Sequence, residues 1–247
     1  MIVKTEAIVL RKVDFSESSI IATLFTRKKG VISVIAKGAK KPRSKFAAAL
    51  VPGQLLEVVF YNKESRDVQT LSEVSYLHKL NGLRIDITKM AIVHTTLELV
   101  SQVVHANEVN VSLFDFLHHF LIWINQSDNP GKILFPYLQL RTLEHIGIGL
   151  QLSETIRSGT NGKGEGYINI ETGTLSASAD GSRSVKLTSA QFQFLCKCLT
   201  SRNRSILSMT LPEKHVSDLI EYLDRYIRYH IDGVKPRKSD SIFSQIV

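Results

Sequence analysis

The sequence predicts an α+β fold. An N-terminal five-stranded barrel of the OB type occupies residues 1–80, and an α-helical bundle domain with a small hairpin insertion at 151–187 occupies residues 81–247. Three observations predict it. The first 75 or so residues break into five short segments rich in Val, Ile, Leu and Thr, with partial alternation. From Thr88 the apolar residues recur at helical spacing. Residues 151–187 are rich in glycine and serine and poor in large apolar side chains. At 247 residues the chain is long enough for a sizeable core and for one to three domains.

The predicted strands are IVKTEAIVL, SIIATLFT, VISVIAKG, QLLEVVFY and DVQTLSEVS, separated by charged or turn-rich stretches. Five short strands in that length suit a small closed barrel, of the OB type or, as the alternative, SH3-like. SKFAAAL supplies a short helix between the third and fourth strands. Val93, Leu97, Val100 and Val104 then mark one face of a helix. LFDFLHHFLIWI is apolar nearly all round, as a helix buried in a bundle is. A third helix runs from about Lys132 to Ile146, kinked or started at Pro136. INIETGTLS reads as the hairpin. In TSAQFQFLCKCL, Thr188 and Gln191 have capping-box spacing. The last helix, HVSDLIEYLDRYIRYHI, puts Val216, Leu219, Leu223, Tyr226 and His230 on one face, with Glu221/Arg225 and Asp224/Arg228 paired on the solvent side.

The net charge of +8 is unevenly placed. Residues 1–50 hold eleven Lys and Arg against three acids, which is the whole excess. No acid occurs from Ser18 to Leu56. A localised basic region on a neutral remainder points to a polyanion-binding face. Its densest stretch is AKGAKKPRSKF, with Lys37, Lys40, Lys41, Arg43 and Lys45. Gly38 and Pro42 make it a loop, so these charges can follow a nucleic-acid strand: the lysines as mobile point charges, Arg43 as a bidentate phosphate ligand. Arg27, Lys28 and Lys29 form a second basic cluster, at the hairpin tip between the second and third strands. Phe15 and Phe46 are the aromatic residues beside these loops, and both read as core residues rather than base-stacking ones.

Signatures of enzymatic chemistry do not occur. There is no H-E-x-x-H, G-x-S-x-G or P-loop. The glycines of GTNGKGEGY lack a strand-to-helix context and a Ser/Thr after the lysine, so they read as a loop. His118 and His119 adjoin on one helix and read as packing residues. Cys196 and Cys198, two apart on a helix, do not face each other; Cys196 is expected to be buried, and two ligands are too few for a structural zinc. No catalytic residue, metal site or cofactor is expected. No segment approaches the roughly 18 uninterrupted apolar residues of a membrane helix. MIVKTEAIVL lacks the regions of a signal peptide, so a cytoplasmic protein with no membrane partner is expected.

AIVLRKVDFSESSIIATLFTRKKGVISVIAKGAKKPRSKFAAALVPGQLLEV resembles the N-terminal module of the RecO family of bacterial recombination mediators. LRTLEHIGIGL is similar to the family's central helix, and GVKPRKSDSIF to its C-terminal stretch. The resemblance implies an OB-fold followed by a helical domain. It also implies a nucleoid-associated, non-enzymatic mediator of DNA repair and recombination. Such a protein binds single- and double-stranded DNA, anneals complementary strands and acts with RecR to load RecA on DNA coated by single-stranded-DNA-binding protein (SSB). It puts DNA contacts at Lys37, Lys40 and Arg43, with Lys41 and Lys45 as neighbours. It further suggests that the helical domain receives the acidic, apolar-ended SSB tail. The helix 132–146 offers Leu134, Leu138 and His145 near one face for that, with Lys132 and Arg141 as cations. Many family members carry four cysteines in a zinc-binding insertion; the stretch here has none, so zinc is not expected. The rival readings are an OB-type RNA-binding or translation-associated module and a nuclease with an unrecognised site.

Overall fold

The computed structural model describes residues 1–159, 164–240 and 243. The chain forms two compact units. Met1–Pro130 joins with the segment from Arg237 onward, and Gly131–Pro236 forms the second.

The first unit begins with five strands: β1 (Ile2–Phe15), β2 (Ser19–Thr26), β3 (Gly30–Ala36), β4 (Leu55–Tyr61) and β5 (Val68–His78). They close into a barrel of order β1-β2-β3-β5-β4. All neighbouring pairs are antiparallel except β3 with β5, whose parallel pairing closes the barrel. That pairing needs a crossover, which β4 and the helix α1 (Lys45–Ala49) supply. Alternation decides what faces inward. Ile20, Ala22 and Leu24 of β2 join Ile32, Val34 and Ala36 of β3 and Val58 and Phe60 of β4 in one core. Burying each large side chain contributes about 1.5–3 kcal/mol. Ala49 and Leu50 extend that core from α1, with Phe46 packed at its edge.

Two helices complete this unit, α2 (Ile87–Val103) and α3 (Val111–Gln126). Asp86 caps α2 by accepting from the Lys89 amide, and Asn110 caps α3 by accepting from the Leu113 amide. Phe114 of α3 meets Phe25 of β2 edge to face at 5.6 Å. The segment after Pro236 returns to α2: Glu98 accepts from the Lys238 and Ser239 amides, both at 2.9 Å, and from the Ser239 hydroxyl at 2.7 Å.

The second unit holds α4 (Leu134–His145), β6 (Gln151–Leu152), α5 (Glu154–Arg157), β7 (Gly166–Asn169), β8 (Thr174–Ser176), β9 (Ser184–Leu187), α6 (Ser189–Thr200) and α7 (Glu213–His230). Pro136 sits in the first turn of α4, where a missing amide costs nothing. The expected hairpin is β7–β8, paired at Tyr167↔Ser176 and Ile168↔Leu175. It is the centre of a four-stranded sheet, β6-β8-β7-β9. The two outer strands, two and four residues long, were not part of the expected hairpin. The capping box of α6 forms as spaced: the Thr188 side chain accepts from the Gln191 amide and the Gln191 side chain from the Thr188 amide.

Three expectations are corrected. Cys198, not Cys196, is the buried cysteine, because it shares a face with the buried Gln191, Phe194 and Leu195. Asp224 turns inward on α7 and accepts from Gln139 Nε2 at 2.7 Å, instead of standing on the solvent side. His230 is exposed, its ring resting against Tyr226. The loop GTNGKGEGY falls partly outside the described residues. Among the described residues no helix is long and apolar enough to cross a membrane.

Candidate nucleic-acid interface

The basic loop leaves β3 at Ala36 and winds through successive turns. The Lys41 amide donates to Gly38 O and the Ser44 amide to Lys41 O, both at 3.1 Å. Gly38 (φ +70°) and Arg43 (φ +65°) take the left-handed conformation that lets so short a segment reverse. For arginine that conformation costs about 1 kcal/mol. The loop is anchored in two ways. Ala39 is fully buried in the barrel core. Lys40 turns back to the β1–β2 turn: its amide donates to Ser18 O at 3.0 Å and its ammonium to Ser16 O at 3.1 Å. The ammonium also pairs with the Asp14 carboxylate at 3.0 Å.

The other four cations are exposed as well. Lys37, Lys41, Arg43 and Lys45 line a groove of about 490 Å³, with Phe46 from α1 and Ser72, Glu73 and Val74 from β5. Four cations against one carboxylate give the groove a net positive charge. Of the five residues expected there, Lys40 serves as the staple that fixes the loop. Arg27, Lys28 and Lys29 lie at the opposite end of β3, about 20 Å away for six residue steps. Arg27 pairs with Asp115 at 3.0 Å and Glu6 at 3.5 Å, and Lys28 Nζ donates to Lys4 O at 3.0 Å.

Phe15 is not a core residue: it is 49% exposed. The β1–β2 register shifts between Val9 and Arg11. Beyond that bulge every β1 residue from Arg11 to Phe15 is exposed, while its partner β2 stays in the barrel wall. Arg11 and Lys12 thereby stand exposed on β1 between the bulge and the turn that Lys40 ties to the basic loop. The signal was present in RKVDF, whose Lys12/Asp14 face has nothing apolar to bury. Phe46 is half-buried, as a residue at the core's edge.

In the second unit Lys132 pairs with Glu213 at 2.5 Å, and Leu138 is fully buried. Arg141 is 3% exposed. Its guanidinium donates to Cys198 O at 2.6 Å and Ser201 O at 3.1 Å at the end of α6, pairs with Glu144 at 2.8 Å, and lies over the Tyr137 ring at 4.9 Å. The three residues grouped from sequence therefore do not share one open surface. Arg141 instead forms part of the wall of a cleft of about 360 Å³, with Leu140, Leu150, Leu152 and Leu199. The exposed cation on that cleft is Arg157, whose Nε donates to Leu152 O at 3.1 Å.

The insertion does not fit a zinc ion. Its strands carry no cysteine, and among the described residues no three His, Cys, Asp or Glu side chains converge. Its turns close instead on Asn169, whose Oδ1 accepts from the Glu171 amide at 2.8 Å and the Thr172 amide at 3.1 Å, and whose Nδ2 donates to Asp180 O. Burial pushes the Cys196 thiol up to about 11 and the Cys198 thiol to about 12, the latter against the nearby Arg141 charge. Both stay protonated at neutral pH, as buried thiols do.

Comparison with known proteins agrees with this architecture. The family model described as "Recombination protein O N terminal" matches residues 1–80, and that described as "Recombination protein O C terminal" matches residues 84–240. The DNA repair protein RecO of Salinibacter ruber is 30% identical over 247 residues, covering 99% of this chain and 94% of its own length. That of Chloroherpeton thalassium is 28% identical over 258 residues, covering both chains in full. That of Chlorobium phaeobacteroides is 35% identical over 147 residues, covering 60% of this chain and 56% of its own. With both terminal models matched across the barrel and the helices beyond it, the chain belongs to the recombination protein O family.

Proposed function

We propose that this chain is a mediator of DNA repair and recombination that works without covalent chemistry. Residues 1–80 form the DNA-binding module. Lys37, Lys41, Arg43 and Lys45 contact phosphates of single- or double-stranded DNA, and Lys40 holds the loop in place for them. Arg27, held by Asp115 and Glu6, serves the fold more than the ligand, with Lys28 and Lys29 beside it as outlying cations. A cationic groove that screens two backbones lowers the repulsion between complementary strands, and base pairing completes annealing. With RecR the protein loads RecA on SSB-coated DNA, at the nucleoid in the cytoplasm. The SSB tail docks in the cleft of the second unit, its apolar end against Leu140, Leu150 and Leu199 and its acids toward Arg157. The observation that carries this reading is the groove itself: four exposed cations on a loop pinned by Ala39 and Lys40.

The test is annealing of complementary oligonucleotides coated with SSB, using wild type and the Lys37→Glu/Arg43→Glu double variant. Wild type is expected to accelerate annealing, and the variant to return it to the unassisted rate. Unchanged annealing by a folded double variant sinks the groove assignment. An RNA competitor as effective as DNA would move the chain to RNA binding.

A further inference from the structure

The cleft of the second unit carries an ion pair that its apolar wall does not explain. Among the described residues lining it, Glu144 is the lone acid. Two guanidiniums converge on that carboxylate. Arg141 Nη1 donates to Oε2 at 2.8 Å. Arg202 donates twice, from Nη1 to Oε2 at 2.7 Å and from Nη2 to Oε1. The two arginines differ in what else holds them. Arg141 is buried, and its Nη2 is fixed on the Cys198 and Ser201 carbonyls. Arg202 stands just past the end of α6 with its side chain 65% exposed, tied only to Glu144 among the described residues. Leu140 lies one turn before Glu144 on α4, and Leu199 three residues before Arg202, so the ion pair adjoins the apolar wall. Glu144 occupies the last turn of α4, where the helix dipole disfavours a carboxylate. Two arginines on one carboxylate leave one positive charge over.

We propose that this corner is a carboxylate subsite of the cleft, which the free protein fills with its own Glu144. An acid of the incoming ligand draws Arg202 away, while Arg141 stays on Glu144 and on the α6 carbonyls. The proposal rests on the reading of the cleft as the dock for the acidic, apolar-ended tail. Charge selects the exchange. In the free protein two guanidiniums share one carboxylate; with an acid bound there are two of each, and every charge has a partner. Burial sets the moving part. Arg202 already meets water, so its release strands nothing, whereas releasing Arg141 would leave a charge unpaired inside the protein. An exposed pair such as Glu144 with Arg202 is weak, so an incoming acid displaces it readily. The contact acts as a filter. A purely apolar peptide offers Arg202 nothing and meets a wall that still carries the Glu144 charge. An acidic peptide gains a bidentate partner but competes with an internal carboxylate, so the tail is held and also released.

The experiment follows the anisotropy of two labelled peptides on the full chain. One is a run of aspartates ending in a leucine and a phenylalanine; the other has asparagines in place of the aspartates. Wild type is compared with Glu144→Gln, Arg202→Gln, the double variant and Arg157→Gln, each checked by a thermal melt. Glu144→Gln keeps the size of the side chain and an oxygen for Arg141. It is expected to tighten the acidic peptide by about fivefold, the scale of one exposed ion pair. Arg202→Gln, at an exposed residue, is expected to weaken it by about two- to fivefold. The double variant is expected to match Arg202→Gln, because no cation is left to release. The asparagine peptide is expected to bind wild type and the Glu144 and Arg202 variants alike. An equal gain from Glu144→Gln in the Arg202→Gln background overturns the proposal, because Glu144 would then act by repulsion alone. A loss or no change with Glu144→Gln, while Arg157→Gln still weakens the acidic peptide, leaves the cleft reading standing and sinks the subsite. An acidic peptide that wild type does not bind, or that ignores every variant, removes the cleft reading first and the subsite with it.

Discussion

Lys40 donates its ammonium to Ser16 O and to the Asp14 carboxylate, while Lys37 and Lys41 on either side stay exposed along the groove. Three lysines of one loop thus divide between holding the loop and meeting a ligand. The residue types were legible from the sequence and their directions were not, because the partners of Lys40, Ser16 and Asp14, lie 24 and 26 residues away along the chain. Arg141 is a parallel case: an arginine amid apolar neighbours looked like a rim cation, and its acceptors are carbonyls 57 and 60 residues further on. Two substitutions separate the roles. With four phosphate contacts, log affinity for single strands against log salt has a slope of about −3. Lys41→Gln is expected to reduce that slope by about 0.7, with unchanged stability. Lys40→Gln is expected to keep the slope and to lower stability by about 1 kcal/mol, the scale of a half-exposed ion pair and its hydrogen bonds. Anisotropy titrations at several salt concentrations and urea denaturation measure the two effects. A slope reduced equally by both variants would put Lys40 on the ligand.

Elements with strong local signals were readable: five strands by alternation, α2 and α3 by apolar spacing, α6 by its capping box. What escaped was set by tertiary partners. The bulge after Val9 re-aims half of β1, and nothing local in AIVLRKVDF forces it at that position. The inward turn of Asp224 depends on Gln139, 85 residues away. The β2–β3 turn shows the same dependence at a glycine. Gly30 has φ +63°, and a Cβ there would stand 2.0 Å from Glu108 O, a backbone atom of the α2–α3 connection. Both the conformation and the space forbid a side chain. Gly30→Ala is expected to cost roughly 2–4 kcal/mol, read as a lower urea midpoint with an unchanged m-value. A loss under about 0.5 kcal/mol would show that this turn is free to move away from Glu108.

For the whole molecule, charge asymmetry was the most legible property, since it needs only counting. Its response to acid follows from groups that sequence alone does not single out. Burial holds the His118 imidazole below its ordinary 6.5, against the nearby Glu6 carboxylate, with His119 and His78 adding to the depression. Burial likewise lowers His145, opposed by Glu144. The unfolded chain takes up these protons first, so stability is complete above about pH 6.5 and falls as pH drops toward the folded values. Glu98 adds a second stage. Burial pushes its carboxyl up, but the Lys238 and Ser239 amides, the Ser239 hydroxyl and the Arg237 charge together bring it below 4.5. Its contribution is therefore lost only below about pH 4.5. Urea midpoints between pH 8 and pH 4 are expected to be flat at first and then to decline, beginning near pH 6.5; a midpoint that rises on acidification contradicts the buried neutral histidines. The return of the chain to the first unit at Glu98 was not legible, because its contacts span 140 and 141 residues. That return orders events during synthesis. The ribosome releases residues 131–236 before the strap at Lys238 and Ser239, so the first unit stands unfinished while the whole of the second is made. A chain released early carries a Glu98 with no amide to clasp, and only translation past Ser239 lets the oldest part of the polypeptide reach its final form.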